Sequence, residues 1–269
     1  MEQHGVSVTI LGARGSVPVS GSQFSRYGGA TTCALFHADG RFIVIDAGTG
    51  LSALPAEAMR ASPLPLLLTH AHSDHLIGFP LSPCAMNPKL QLDVYGVTRG
   101  GLDVRAQVER LLAPPLWPVG PDMLPADIRF FELPETLRFG GVTVEAMEGV
   151  HPSGVSLLRL TADGKRVVFA TDCTLADEFK PKLTEFIRGC DILFFDGQYT
   201  DEEWPARKTF GHSSWGHVAR FARACGVERL CIIHHDPLRT DDALDRAADA
   251  IRAIGPDYRF AKEGEVFTL

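Results

Sequence analysis

The run His70-Ala71-His72-Ser73-Asp74-His75 puts four candidate metal ligands into six residues, directly after the apolar stretch Leu64 to Leu68. That is far more than packing requires of a folded chain. The spacing has a physical use. In an extended segment side chains alternate between faces, so His70 and His72 point the same way. If the strand ends there and the chain turns, Asp74 and His75 swing to the other side of a shared pocket. Imidazole with carboxylate suits zinc, manganese or iron, and two neighbouring ions can share such a loop.

Chain length then sets the frame. With 269 residues and 45% hydrophobic content the chain can bury a sizeable core. One domain spanning residues 1–269 is expected. A net charge of −7 argues against a surface that grips nucleic acid throughout, leaving room only for a local basic patch. The opening MEQHGVSVTI has no basic start followed by a long apolar core. No run approaches the roughly 18 apolar residues of a membrane span. The expectation is a soluble, cytoplasmic protein with no membrane partner. The six cysteines, at 33, 84, 173, 190, 225 and 231, form no C-x-x-C pair. They read as free thiols of a reducing compartment. Cys173 is singled out because it follows Asp172.

Apolar patterning gives a coarse element order. Val6–Leu11, Cys33–His37, Phe42–Asp46, Leu64–Thr69, Leu92–Tyr95, Val142–Met147, Val155–Leu160 and Arg166–Ala170 read as strands. Asp191–Phe195 and Leu230–Ile233 are short apolar runs with polar flanks, as buried strands are. Leu102–Leu112, Ser213–Cys225 and Thr240–Ile254 carry apolar residues at helical spacing. Ser213 or Ser214 and Thr240 are the candidate caps of the last two. Between Ala113 and Pro125 five prolines exclude a helix or a central strand. This segment is either a stiff surface crossover or a rim over a pocket, with Trp117 as a contact for a base or sugar.

More candidates stand at strand ends. His151 follows the strand Val142–Met147, Asp172 follows Val167–Ala170, and His234 follows Leu230–Ile233 with His235 beside it. Each alone is a weak signal. A four-ligand cluster, then a His, an Asp and a His, each after its own strand, is a stronger one.

Further motifs complete the pattern: Gly12-Ala13-Arg14-Gly15-Ser16-Val17-Pro18, Arg26-Tyr27-Gly28-Gly29-Ala30-Thr31-Thr32-Cys33, Ile45-Asp46-Ala47-Gly48-Thr49-Gly50, Phe195-Asp196-Gly197-Gln198-Tyr199, Gly211-His212-Ser213-Ser214-Trp215 and His234-His235-Asp236-Pro237. With these the chain resembles, over nearly its whole length, the metallo-β-lactamase-fold hydrolases of the phosphodiesterase branch, related to tRNase Z and to phosphoribosyl cyclic phosphodiesterases. The resemblance implies an α/β (α+β) four-layer αβ/βα sandwich with a dinuclear site at one edge, between two sheets. By position it assigns His70, His72 and His151 to one divalent ion and Asp74, His75 and His234 to a second. Asp172 would bridge the two. The cofactors would be two divalent metal ions, Zn2+ with Mn2+ or Fe as alternatives. A carboxylate oxygen on each ion would hold them about 3.5–4 Å apart. His234 rather than His235 aligns with the ligand position. The expected reaction is phosphodiester hydrolysis by a metal-bridging hydroxide. His212, as proton donor to the leaving alkoxide, and Asp74 are the expected catalytic residues.

Asp46 is expected to hydrogen-bond a ligand imidazole or the loop after the first sheet. Asp196 acts near the metals or is a plain strand-end carboxylate. Arg14 meets a phosphate or lies on the surface. His4, His37 and His217 have no motif support. The substrate would be a small phosphodiester: a cyclic nucleotide, a cyclic sugar phosphate or a short nucleic acid. Nucleic acid is allowed but not favoured, because no Lys or Arg occurs between Ala113 and Pro125 and no gripping arm is evident. The alternatives are a tRNA 3′-processing endonuclease of the tRNase Z type and a metal-bound ligand sensor without turnover. A homodimer is within what the resemblance allows. The β-lactamases lack the bridging Asp that Asp172 supplies, flavodiiron proteins expect Glu where His72 stands, and the helical substrate domain of glyoxalase II is missing.

Overall fold

Runs of β-branched and apolar residues become strands when both faces of a sheet can be covered. The computed structural model describes residues 5–269, so His4 lies outside the described residues. The first sheet is entered by β1 (Ser7–Gly12), β2 (Cys33–Ala38), β3 (Arg41–Ile45), β4 (Leu64–Leu67), β5 (Gln91–Gly96) and β6 (Asp127–Glu132). The second takes β7 (Thr136–Phe139), β8 (Val142–Gly149), β9 (Val155–Ala162), β10 (Lys165–Ala170), β11 (Ile192–Asp196), β12 (Arg229–Ile233) and β13 (Asp257–Phe260). The chain then returns as β14 (Val266–Thr268) beside β1, so that each sheet has seven strands.

Both sheets are built alike. From β14 to β3 the pairing is antiparallel, and from β3 to β6 it is parallel. From β7 to β10 it is antiparallel, and from β10 to β13 parallel. The parallel register aligns strand ends: Ala170 pairs with Phe195, and Asp196 with Ile233. Side chains just beyond these ends therefore emerge at one level, the edge where open α/β sheets gather their ligands.

The inner layer is apolar. Ile10, Phe36 and Ile43 of the first sheet belong to one buried cluster with Val144, Leu160, Phe169 and Phe194 of the second. The helices α1 (Val104–Leu111), α2 (Lys180–Ile187), α3 (Trp215–Ala224) and α4 (Asp241–Ile254) form the outer layers. Leu183 of α2, Val218 of α3 and Leu244 of α4 cover the second sheet. Over the first sheet lie α1 and short 3-10 turns bearing Leu51 and Ala58. This is the expected four-layer αβ/βα sandwich, with one outer layer made largely of turns. Ser214 and Thr240 cap α3 and α4, accepting from the amides of His217 and Ala243. No described helix is long and apolar enough to cross a membrane.

Five elements escape the sequence reading: β6, β7, β13, β14 and α2. The strands among them are short or largely exposed edges with charges in their pattern. In α2 a proline occupies the first turn, where its missing N–H is harmless. The expected strand Leu64–Thr69 stops at Leu67. The proline-rich segment is irregular apart from a 3-10 turn at Pro121–Met123. Its Trp117 packs against the outer cluster that contains Leu112 and Leu124, as a crossover requires. All six cysteines are free. Four are buried, while Cys190 and Cys225 are partly exposed. Cys173 donates its backbone N–H to Asp196, and burial pushes its thiol up to about 12.

Candidate metal centre

The site forms where strands end and the chain turns sharply. Asp46 follows β3, and Asp172 and His234 follow β10 and β12. All three adopt left-handed backbone conformations, with φ of 60°, 49° and 61°. Such angles are uncommon outside glycine and concentrate at functional positions. After β4 the chain leaves the sheet, and His72 to His75 wind into a short 3-10 turn. His151 follows β8.

Side chains from these turns converge into two groups that share one residue. His70, His72, His151 and Asp172 offer ligand atoms within 4.8 Å of one another, and so do Asp74, His75, Asp172 and His234. Asp172 faces both ways. Its Oδ2 lies 3.5 Å from His70 Nε2 and 3.9 Å from His151 Nε2. Its Oδ1 lies 3.1 Å from His75 Nε2 and 3.2 Å from His234 Nε2. Asp74 Oδ2 closes the second group, 3.1 Å from His234 Nε2. In the first group His72 Nδ1 and His151 Nε2 are 3.1 Å apart.

Surrounding hydrogen bonds choose which ring nitrogen faces inward. His75 Nδ1–H donates to Asp46 Oδ2 at 2.8 Å, and His151 Nδ1–H donates to the Gly211 carbonyl at 3.0 Å. Each leaves Nε2 aimed at the cluster, the arrangement that fixes an imidazole for metal binding. Asp46 also accepts from the amide and hydroxyl of Thr69, so it ties the end of β4 to His75. The sequence expectation for Asp46 thus matches the observed contact.

The buried Nε2 atoms of His70 and His75 have no hydrogen-bond partner among the described residues. Unpaired buried nitrogens are costly, and these two face a carboxylate flanked by other nitrogens. An all-nitrogen-and-oxygen donor set of this kind fits divalent zinc, manganese or iron. The residues present therefore suit a divalent metal site.

Protonation differs between the two groups. Burial holds His70, His72 and His151 below the usual imidazole range. Burial also opposes charge on His75 and His234, but carboxylates outweigh it. Asp172, Asp46 and Asp74 raise His75 well above the usual range, and Asp172 and Asp74 raise His234 to about 9. Burial opposes charge on Asp172 and Asp74 in turn, yet the adjacent histidines hold both carboxyls below their ordinary value.

His212 and Asp196 meet beside the second group. His212 Nδ1–H donates to Asp196 Oδ2 at 2.7 Å, and the His212 ring stacks on His234 with centroids 4.7 Å apart. Asp196 also accepts from the amides of Cys173 and Gln198. It is therefore not a plain strand-end carboxylate; it fixes the His212 tautomer and leaves Nε2 free.

Two sequence readings need correction or decision. Arg14 is fully buried and does not lie on the surface. Its guanidinium donates to the carbonyls of Gly28, Asp236 and Arg239, joining three loops. His235 turns away from the cluster and donates to the Ala261 carbonyl at 2.9 Å, which leaves His234 as the inward residue. Sequence reasoning missed Ser16, whose amide donates to Asp74 Oδ2 at 2.7 Å. It also missed Thr69, Ser153 against His72, and Gly15, where a Cβ would lie 2.3 Å from the His234 ring. Their residue types carry no metal signal; only the glycine-rich opening hinted at close packing.

Comparison with known proteins shows the family and the fold. Residues 41–235 match the family described as the β-lactamase superfamily domain. A ribonuclease Z of Bradyrhizobium diazoefficiens is 25% identical, over 96% of this chain and 97% of its own length. The metallo-β-lactamase fold protein YhfI from Bacillus subtilis superposes with a TM-score of 0.71 at 19% identity, covering 98% of this chain and all of that one. A diphosphatase from the PhnP family superposes with a TM-score of 0.69 at 17% identity, covering 98% of both chains.

Proposed function

Because the chain belongs to the β-lactamase superfamily, we propose that its His/Asp cluster holds two divalent cations and that the protein hydrolyses a small phosphodiester. The observation that carries this reading is the split carboxylate of Asp172, with one oxygen turned to each ligand group. The names of its relatives, a ribonuclease and a diphosphatase, support cleavage at phosphorus.

His70, His72, His151 and Asp172 Oδ2 would hold one cation. Asp74, His75, His234 and Asp172 Oδ1 would hold the other. Zinc is the first choice, with manganese and iron as alternatives. When bound, such ions lower the pKa of coordinated water and offset phosphoryl charge. The remaining chemistry falls to the chain. Asp46 fixes the orientation of His75, and Gly211 that of His151. The Ser16 amide takes one lone pair of Asp74 Oδ2 and restrains that carboxylate. An alkoxide leaving group needs a proton, and His212 would give it. Asp196 holds the Nδ1 proton and stabilises His212 as the imidazolium; the Nε2 proton would pass to the leaving alkoxide and leave neutral, Nδ1-protonated His212. Asp74 and His212 are the residues on which turnover should depend most directly.

The test is hydrolysis of bis(p-nitrophenyl) phosphate by chain reconstituted with zinc or manganese, run beside Asp74→Ala. Metal-dependent turnover lost in the variant is the expected result. His212→Ala should retain most activity on this good leaving group and lose it on an alkyl diester. Absence of turnover with both ions bound would sink the phosphodiester reading and bring forward thioesters, lactones and a metal-bound sensor without turnover. A second reading, 3′-end processing of precursor tRNA, is favoured by the end-to-end alignment with ribonuclease Z; cleavage of a 3′-extended tRNA precursor tests it.

A further inference from the structure

The turn after β11 brings a second polar side chain to the centre. Gln198 donates its backbone N–H to Asp196 Oδ1 at 3.0 Å, the same carboxylate that holds His212. Gln198 is 6% exposed. The amide Nε2 reaches Ser16 Oγ at 3.3 Å, and Oε1 is buried with no partner among the described residues. Ser16 itself is exposed, sits at φ 63° and donates its backbone N–H to Asp74 Oδ2. One polar chain thus runs from His212 through Asp196 and Gln198 to Ser16 and Asp74.

Nothing in the proposed hydrolytic step uses the Gln198 amide, yet it is buried and half-satisfied beside the site. Buried amides are normally paired; Oε1 is sealed as the chain stands, so a ligand reaches this valence only from the exposed Ser16 side. A carboxamide turns about its last torsion, which has two broad wells. With Oε1 accepting the Ser16 hydroxyl, two N–H donors occupy the place of the unpaired oxygen. Donors there suit an oxyanion, and neutral donors do so without competing with the cations for Asp74.

We infer that Gln198 and Ser16 form the phosphoryl-oxygen subsite of this centre and hold the phosphate group on the Asp74 side. The inference rests on the phosphodiester reading of the same site but does not require turnover. Gln198 is a positioning and specificity residue, distinct from His212, which moves the proton.

The experiment is calorimetric titration of the metal-loaded full chain with inorganic phosphate, for the natural sequence, Gln198→Leu and Ser16→Gly. Leucine keeps the volume, and glycine suits the left-handed backbone at Ser16, so the second variant retains the fold if the first does not. The phosphate Kd should rise about tenfold in each, the effect of losing one hydrogen bond to a charged group, with metal content unchanged. In parallel assays with bis(p-nitrophenyl) phosphate the same variants should raise KM far more than they lower kcat. A chain that binds no phosphate, variants that bind it as tightly as the natural chain, or a loss that follows metal content would overturn the inference. Glutamine-dependent phosphate binding without any hydrolysis would remove the hydrolase reading and leave this subsite standing.

Discussion

Metal uptake should be unequal in protons between the two halves of the centre. In the metal-free chain His234 holds a proton up to about 9 and His75 is raised well above the ordinary range, because Asp172, Asp74 and Asp46 surround them. At pH 7 the neutral fraction of His234 is about 1%, two units below its pKa. His70, His72 and His151 are lowered by burial and stand neutral at that pH. Metal ligation needs neutral imidazole. Filling the Asp74/His75/His234 group should therefore expel at least the His234 proton, and its apparent affinity should fall at least about 10-fold per unit of pH drop below neutrality. Filling the His70/His72/His151 group should expel none from the protein, and a metal-bound water adds at most about one proton to either. A raised His234 stabilises the metal-free fold fully below 6.5, and that contribution fades as pH rises through about 9. Calorimetric zinc titration in buffers of different ionisation enthalpy counts the protons for each event. Two binding events with the same proton count, or with affinities equally indifferent to pH, would refute the reasoning.

Other perturbations separate positioning from packing. Asp196→Asn removes the partner of His212 Nδ1 and should lower kcat on an alkyl diester by about 100-fold or more, with metal content retained; an equal loss on p-nitrophenyl and alkyl leaving groups would exclude a role through the proton donor. Gly15→Ala sets a methyl 2.3 Å from the His234 ring and should weaken metal binding about 10–100-fold; full occupancy by metal analysis at limiting zinc would show that the ring can yield. His235 is fully buried and pushed down to about 3 by burial and by Arg14. Its contribution is present above 6.5 and is lost as pH falls towards 3, at about 1.4 kcal/mol per unit. Urea midpoints of the metal-free chain from pH 7 to 5 should fall less steeply in His235→Leu; parallel slopes would contradict this. Phe194 is buried between the sheets against Phe169, with ring centroids 4.7 Å apart. Phe194→Ala should cost about 3–5 kcal/mol in denaturant unfolding, with the metal site unaffected.

Residues legible in the sequence carry their chemistry in their type. The strands β2, β3, β9, β10, β11 and β12 are apolar runs, because sheets covered on both faces leave little polar alternation. The histidines and aspartates at their ends could be picked out because each followed such a run. Edge strands lacked this signal: β6 is Asp-Ile-Arg-Phe-Phe-Glu with charges at both ends, and β14 has three residues. Their strand character comes from a neighbour that offers hydrogen bonds, which local propensity does not contain.

Supporting residues were hidden for a different reason. Ser16 acts on Asp74 through a backbone amide, and that amide points correctly because the chain there is left-handed. Gly15 acts by having no side chain beside His234. Arg14 looks like a phosphate ligand by type, but the pairing of its strand end with Thr31 and His235 buries it. The three left-handed residues Asp46, Asp172 and His234 join these two classes. Side-chain type marked them as candidates, while the backbone turn that aims them out of the strand direction belongs to the ends of β3 in one sheet and of β10 and β12 in the other. Asp172→Glu keeps a carboxylate but moves it by a methylene, whereas Asp172→Asn and Asp172→Gly separate the two contributions. Asparagine tolerates the left-handed turn and removes the charge. Glycine relaxes the turn and removes the whole side chain. If the turn were incidental, Asp172→Gly would leave the chain no more stable than Asp172→Asn; if strain is stored there, the glycine variant should be the more stable, by about 1 kcal/mol, in the metal-free state.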